Sequence, residues 1–165
     1  MALAPSNYAA LKTYIDATPE LAALPNNSDG NFEIARQLNM VANPAFYVWK
    51  SDVTVDEIMQ NGFDWTRVDN LTIGKARIWE WMTNTGTLHP NQPNVRAGFL
   101  AVFTTAGDLG NRNAIATHIQ RTASIVEKLF AVGTGTTSTD QFVGPATMGY
   151  EGPINYADVG YARSS

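Results

Sequence analysis

His89 and His118 are the only imidazoles in this chain of 165 residues, and it has no cysteine. A hydrolytic triad or a metal centre needs those rings beside carboxylates or other ligands. His89 instead stands in a loop before Pro90, and His118 inside a helical stretch with no motif around it. Both read as structural or exposed. Without cysteine there are no disulfides, no thiolate nucleophile and no Cys-type zinc site. Among the carboxylates, Asp56 and Glu57 fall in Thr54-Val55-Asp56-Glu57, a helix capping box that accounts for them. Asp69 beside Arg67, and Glu80 three residues after Arg77, read as surface pairs. Asp64 reads as the cap of a turn through Trp65 and Val68. The glycine–threonine run from Gly133 to Thr139 lacks the Gly-Lys-Ser/Thr end, the preceding strand and the following helix of a phosphate loop. No residues are predicted to catalyse a reaction or to bind a cofactor or metal.

The totals point the same way. Net charge is −4, and the eleven basic residues are scattered rather than gathered into the cationic groove that nucleic acid requires. Hydrophobic residues make up 44%, enough for a packed core, whereas charged residues reach only 16% against a usual quarter. Much of the surface therefore falls to neutral polar residues, which suits a protein packed against neighbours and is also found in monomers. The N-terminal stretch lacks the basic and apolar regions of a secretory signal, and no apolar run reaches membrane-spanning length.

The elements follow from spacing. Pro5 to Ala17 has a proline suited to a first turn, then Leu11, Tyr14 and Ile15 at helical intervals, and Thr18-Pro19 ends it. After a turn at Pro25-Asn26-Asn27, Ser28 is placed to cap a helix from Asp29 to about Met40, with Ile34, Ala35 and Leu38 inward. Ala45 to Lys50 reads as a short helix or an extended bridge. A capped helix follows at Val55, closed by Gly62. Asn70 to Met82 has an apolar arc wide enough for a central helix contacted on most sides, with Gly74 allowing close backbone approach. The helical spacing of the tryptophans favours core over a stacking platform, least firmly for Trp49 and Trp65. Pro93 opens a helix with Val95, Phe99, Val102 and Phe103 inward, and a long last helix is predicted from Asn111 to Val132.

After Gly133 the composition changes to a small, polar linker and then an aromatic segment. The expected organisation is a helical domain over residues 1–132 and a flexible linker with an aromatic arm over 133–165. Phe142, Met148, Tyr150, Ile154, Tyr156 and Tyr161 are the candidate partner-binding residues, packing on their own helices or crossing to another subunit. The fold class expected is all-α: a compact bundle of five to six short helices with an extended C-terminal arm.

A helix around ALKTYI, a second ending ARQLN, a RIWEWM-type helix, a late helix ending EKLF and a terminal YADVGYAR segment together resemble small, mostly uncharacterised helical proteins encoded among the structural genes of tailed bacteriophages. The similarity covers most of the chain and rests on packing motifs. It implies a non-enzymatic virion structural or assembly protein at a capsid, neck or tail position. Its partners would be other phage structural proteins and copies of itself, with no nucleic acid or membrane, and it would reside in the virion after synthesis in the host cytoplasm. The alternative is a phage-encoded inhibitor of a host defence protein or signalling nucleotide.

Overall fold

The computed structural model describes residues 3–165; Met1 and Ala2, which begin the N-terminal stretch read above, lie outside it. The described chain is mostly helical, with ten short α-helices rather than five or six. It is not all-α, because two small two-stranded sheets are also present. In order the elements are α1 (Pro5–Ala17), α2 (Pro19–Ala22), α3 (Ser28–Leu38), β1 (Tyr47–Trp49), β2 (Val53–Thr54), α4 (Val55–Ile58) and α5 (Trp65–Asp69). Then come α6 (Ile73–Thr83), β3 (Thr87–Leu88), α7 (Pro93–Val102), α8 (Leu109–Ile119), β4 (Gln120–Thr122), α9 (Ile125–Phe130) and α10 (Tyr156–Ser164).

These elements form two compact units, and the division is not the expected one at residue 132. One unit comprises the chain up to Phe46, Thr122–Val132 and Met148–Ser165; the other comprises Tyr47–Arg121 and Gly133–Thr147. Each has its own apolar core. In the first, Leu11 and Ile15 of α1, Ile34 and Leu38 of α3, and Val126 of α9 meet Tyr150, Ile154, Val159 and Ala162 from the C-terminal segment. In the second, Trp49, Ile58, Phe63, Trp79, Phe99, Phe103, Ile115 and Phe142 pack together. The C-terminal segment is therefore core in both places rather than an extended arm.

Local chemistry explains most elements. Pro5 and Pro93 start α1 and α7. The Thr54 hydroxyl accepts from the Glu57 amide while the Glu57 carboxylate accepts from the Thr54 amide, closing the capping box of α4. Asn27, not Ser28, caps α3, its side-chain oxygen accepting from Gly30 N at 2.9 Å. Of the ambiguous segment, Tyr47–Trp49 is extended and pairs with β4.

Three further expectations give way. The central helix is not contacted on most sides: in α6 only Trp79 is buried, while Ile73 is 76% and Trp81 71% exposed, and nothing approaches Gly74. The long helix from Asn111 is broken at Gln120–Thr122, and α9 starts afresh on its own capping box at Ser124 and Glu127. The Gly133–Thr139 run is hydrogen-bonded along its length, with Tyr47 N donating to Gly135 O and Thr136 N to Gly144 O. Gly144 has φ +116°, and a Cβ there would fall 2.5 Å from Thr136 O, so only glycine lets the two backbone strands close.

Candidate functional site

The six predicted partner-binding residues separate by environment. Phe142 is buried between Trp49 and Phe99, at centroid distances of 5.6 and 5.9 Å. Met148, Tyr150 and Ile154 are buried as well. Tyr150 sets its ring edge-on to Phe130 and donates its hydroxyl hydrogen to Pro153 O at 2.8 Å; burial raises its pKa. Tyr156 and Tyr161 are the two that remain exposed. Tyr161 stacks edge-on against Tyr8 at 4.6 Å, whose hydroxyl donates to Asp158. Of these six, that leaves Tyr156 as the exposed residue that lines a concave surface.

The concavity is a cleft of about 390 Å³ between α3 and the start of α10, lined by Phe32, Arg36, Asn39, Met40, Ile154 and Tyr156. Phe32 and Arg36 lie four apart on one face of α3, and Asn39 and Met40, three and four residues after Arg36, continue that side just past the helix end. This stripe lies beside the Ile34–Leu38 stripe that packs inward, and sequence periodicity credited only the latter. Phe32 is 62% and Tyr156 53% exposed, and Met40 is also open. Asn39 fixes the opposite wall: its amide nitrogen donates to Ile154 O at 2.8 Å, and Ile154 N donates to its oxygen at 3.0 Å. Asn155 caps α10 by accepting from Ala157 N and Asp158 N, which sets the position of Tyr156.

The rim charges are neutralised locally. Arg36 donates through Nε and Nη2 to Glu33 at 2.7 and 2.6 Å, and Gln37 adds a third bond to the same carboxylate. The Arg36 fork, with Gln37, holds the Glu33 carboxyl at a pKa of about 2. With Arg36 paired and Asn39 spent on the backbone, the cleft offers chiefly apolar contact. Chemically it can seat a hydrophobic side chain or helix ridge; it has no converging acid–base pair.

The remaining chemistry-bearing residues lie in the other unit. Antiparallel pairing of Val53 with Leu88 brings Asp52 opposite His89, and their side chains meet at 2.6 Å on an exposed surface. This contact depends on register across 37 residues, which local spacing does not reveal. His118 has its Nε2 buried without a partner. The expected Arg67–Asp69 and Arg77–Glu80 pairs do not form: Arg67 pairs with Asp64 at 3.7 Å, and Glu80 has no ion-pair partner among the described residues. Among the described residues, no three His, Asp or Glu side chains gather as a metal cage. Nor is any described helix long and apolar enough to cross a membrane.

Comparison of this chain with protein-family models, curated proteins and solved structures gave no match.

Proposed function

We propose that this chain is a non-enzymatic structural or assembly protein of a tailed bacteriophage virion, a capsid, neck or tail component that works through protein–protein contacts. The observation that carries the contact-making part is the open apolar cleft bounded by Phe32, Met40 and Tyr156. Large apolar side chains grouped at a concave surface, with rim charges already paired, fit the buried centre of a protein interface. The phage assignment rests on the sequence resemblance alone. The partners proposed are other virion proteins and further copies of this chain.

The test is quantitative mass spectrometry of purified particles, in parallel with infected-cell lysate. A virion component appears in particles at fixed stoichiometry, and Phe32→Asp lowers its incorporation at least tenfold while leaving the fold intact. Abundance in lysate with absence from particles would replace this reading with an inhibitor of a host protein.

A further inference from the structure

A second cleft, of about 470 Å³, lies wholly within the unit built from Tyr47–Arg121 and Gly133–Thr147. That size falls within the roughly 300–1,000 Å³ range of small-ligand sites. Its aromatic wall is held by a stack of rings. Trp65, 57% exposed, sits edge-on to Phe63 at 4.9 Å; Phe63 lies nearly parallel to Trp79 at 5.5 Å; Trp79 is edge-on to Phe103 at 5.4 Å. Asp64 fixes the entry to α5 by accepting from Thr66 N and Oγ1, so Trp65 projects from a capped turn. The rest of the lining is Val68, Leu71 and Ala76 together with two carboxylates, Asp69 and Glu80.

The polar content of this cleft is one-sided. Among the described residues, neither Asp69 nor Glu80 makes an ion pair or a side-chain hydrogen bond, and no Lys, Arg, Asn or Gln lines the space. Of the cations near it in sequence, Arg67 is held by Asp64 and lies against Gly107, and Lys75 is held by the Thr104 hydroxyl; Arg77, three residues before Glu80, does not line the cleft. An anion or a nucleotide phosphate would meet only negative charge. A sugar would find stacking faces and acceptors but no side-chain amide or cation to donate to its ring oxygens. The complementary ligand is a positive group with an apolar body, which the indole faces attract through their quadrupoles and the carboxylates through charge.

From this we infer that the Trp65–Trp79 cleft, with Asp69 and Glu80 at its edge, binds an organic cation of the alkylammonium or guanidinium class. The inference is independent of any role in a virion. Such a cation has two sources, a free quaternary ammonium compound or the arginine or lysine side chain of another protein, and they share this chemistry.

The test is a titration of the full chain, followed by the indole N–H signals of its tryptophans in NMR. The probes are tetramethylammonium chloride and N-acetyl-arginine amide, with sodium chloride at matched ionic strength as the control. Saturable shifts of the Trp65 and Trp79 signals with either cation, and none with sodium chloride, are expected. Stronger binding of tetramethylammonium assigns a free ligand, and stronger binding of the arginine amide assigns a protein side chain. Trp65→Ala should weaken binding roughly fivefold to tenfold. Asp69→Asn with Glu80→Gln, which keeps both indoles, should weaken it about threefold to tenfold. The inference is overturned if neither cation shifts these signals, if the double variant binds as well as the native chain, or if an uncharged disaccharide binds as tightly.

Discussion

Trp79 and Trp81 stand two positions apart on α6 and do opposite things. Trp79 is buried and stacked on Phe63 and Phe103, whereas Trp81 is 71% exposed. Trp79→Ala should cost about 3–5 kcal/mol, the usual toll of an aromatic cavity. Trp81→Ala should stay within about 0.5 kcal/mol. Urea unfolding of the two variants checks both, and equal losses would mean that α6 is buried on both faces. At Glu33 the same scale governs pH behaviour. Its carboxyl is lowered from 4.5 to about 2 in the folded chain by Arg36 and Gln37. A depressed carboxylate contributes its stabilisation above the unfolded value, and that contribution is lost as pH falls from 4.5 through about 2. Carboxyl carbon NMR should place the Glu33 midpoint near 2, and Arg36→Ala should return it toward 4.5. This pairing was open to sequence reasoning, since Glu33 and Arg36 are three apart on a helix. Arg77 and Glu80 have the same spacing and do not pair, so spacing permits an ion pair without deciding it; Arg67 and Asp69 are only two apart, which turns them to different faces, and Arg67 pairs instead with Asp64 three residues before it.

At the level of elements, the break between α8 and α9 shows where periodicity stops informing. The apolar residues from Ile115 to Phe130 keep a helical interval, yet the backbone between them leaves the helix to bond elsewhere. Ala123 N donates to Phe46 O at 2.8 Å, Ala42 N to Ala123 O at 3.0 Å and Ile125 N to Met40 O at 2.9 Å. These partners lie about eighty residues away, and no local pattern encodes them. What the sequence does carry is the restart signal, Ser124 followed three residues later by Glu127, hidden inside the apolar stripe. Glu127 is buried; one carboxylate oxygen accepts from Ser124 N at 2.9 Å and the other from Gly152 N at 3.0 Å. Ser124→Ala removes a cap and should cost about 1 kcal/mol. Glu127→Ala leaves two amides without this acceptor and should cost about 1–3 kcal/mol. Thermal melts of the two variants give the comparison. A Glu127 variant no less stable than the Ser124 variant would mean that the tie to Gly152 contributes nothing. The capped and proline-started helices α1, α4 and α7 were legible because their determinants lie within a few residues.

Across the whole molecule, the largest departure from the sequence pattern concerns residues 133–165. Glycines, threonines and prolines there have the composition of a linker, but composition does not report what a segment packs against. Phe142 completes one core; Tyr150, Ile154 and Val159 complete the other. Polar bonds fasten the end of the chain within its unit: Arg163 donates to Leu24 O at 2.8 Å, to Asn31 Oδ1 at 3.0 Å and to Pro25 O at 3.1 Å. Four large buried side chains, at roughly 1.5–3 kcal/mol each, amount to much of a net stability of about 5–15 kcal/mol. A chain ending at Val132 should therefore lose its cooperative thermal transition and most of its helical circular dichroism, rather than persist as an independent helical domain. A chain ending at Asn155 keeps Phe142, Tyr150 and Ile154 but loses α10, with Val159, Ala162 and the Arg163 bonds. It should melt at a lower temperature than the full chain while retaining a folded signal. Native-like dichroism and a sharp melt in the Val132 truncation would show that the last thirty-three residues ride on cores already complete without them. In that case their aromatic side chains would again be available to a neighbour.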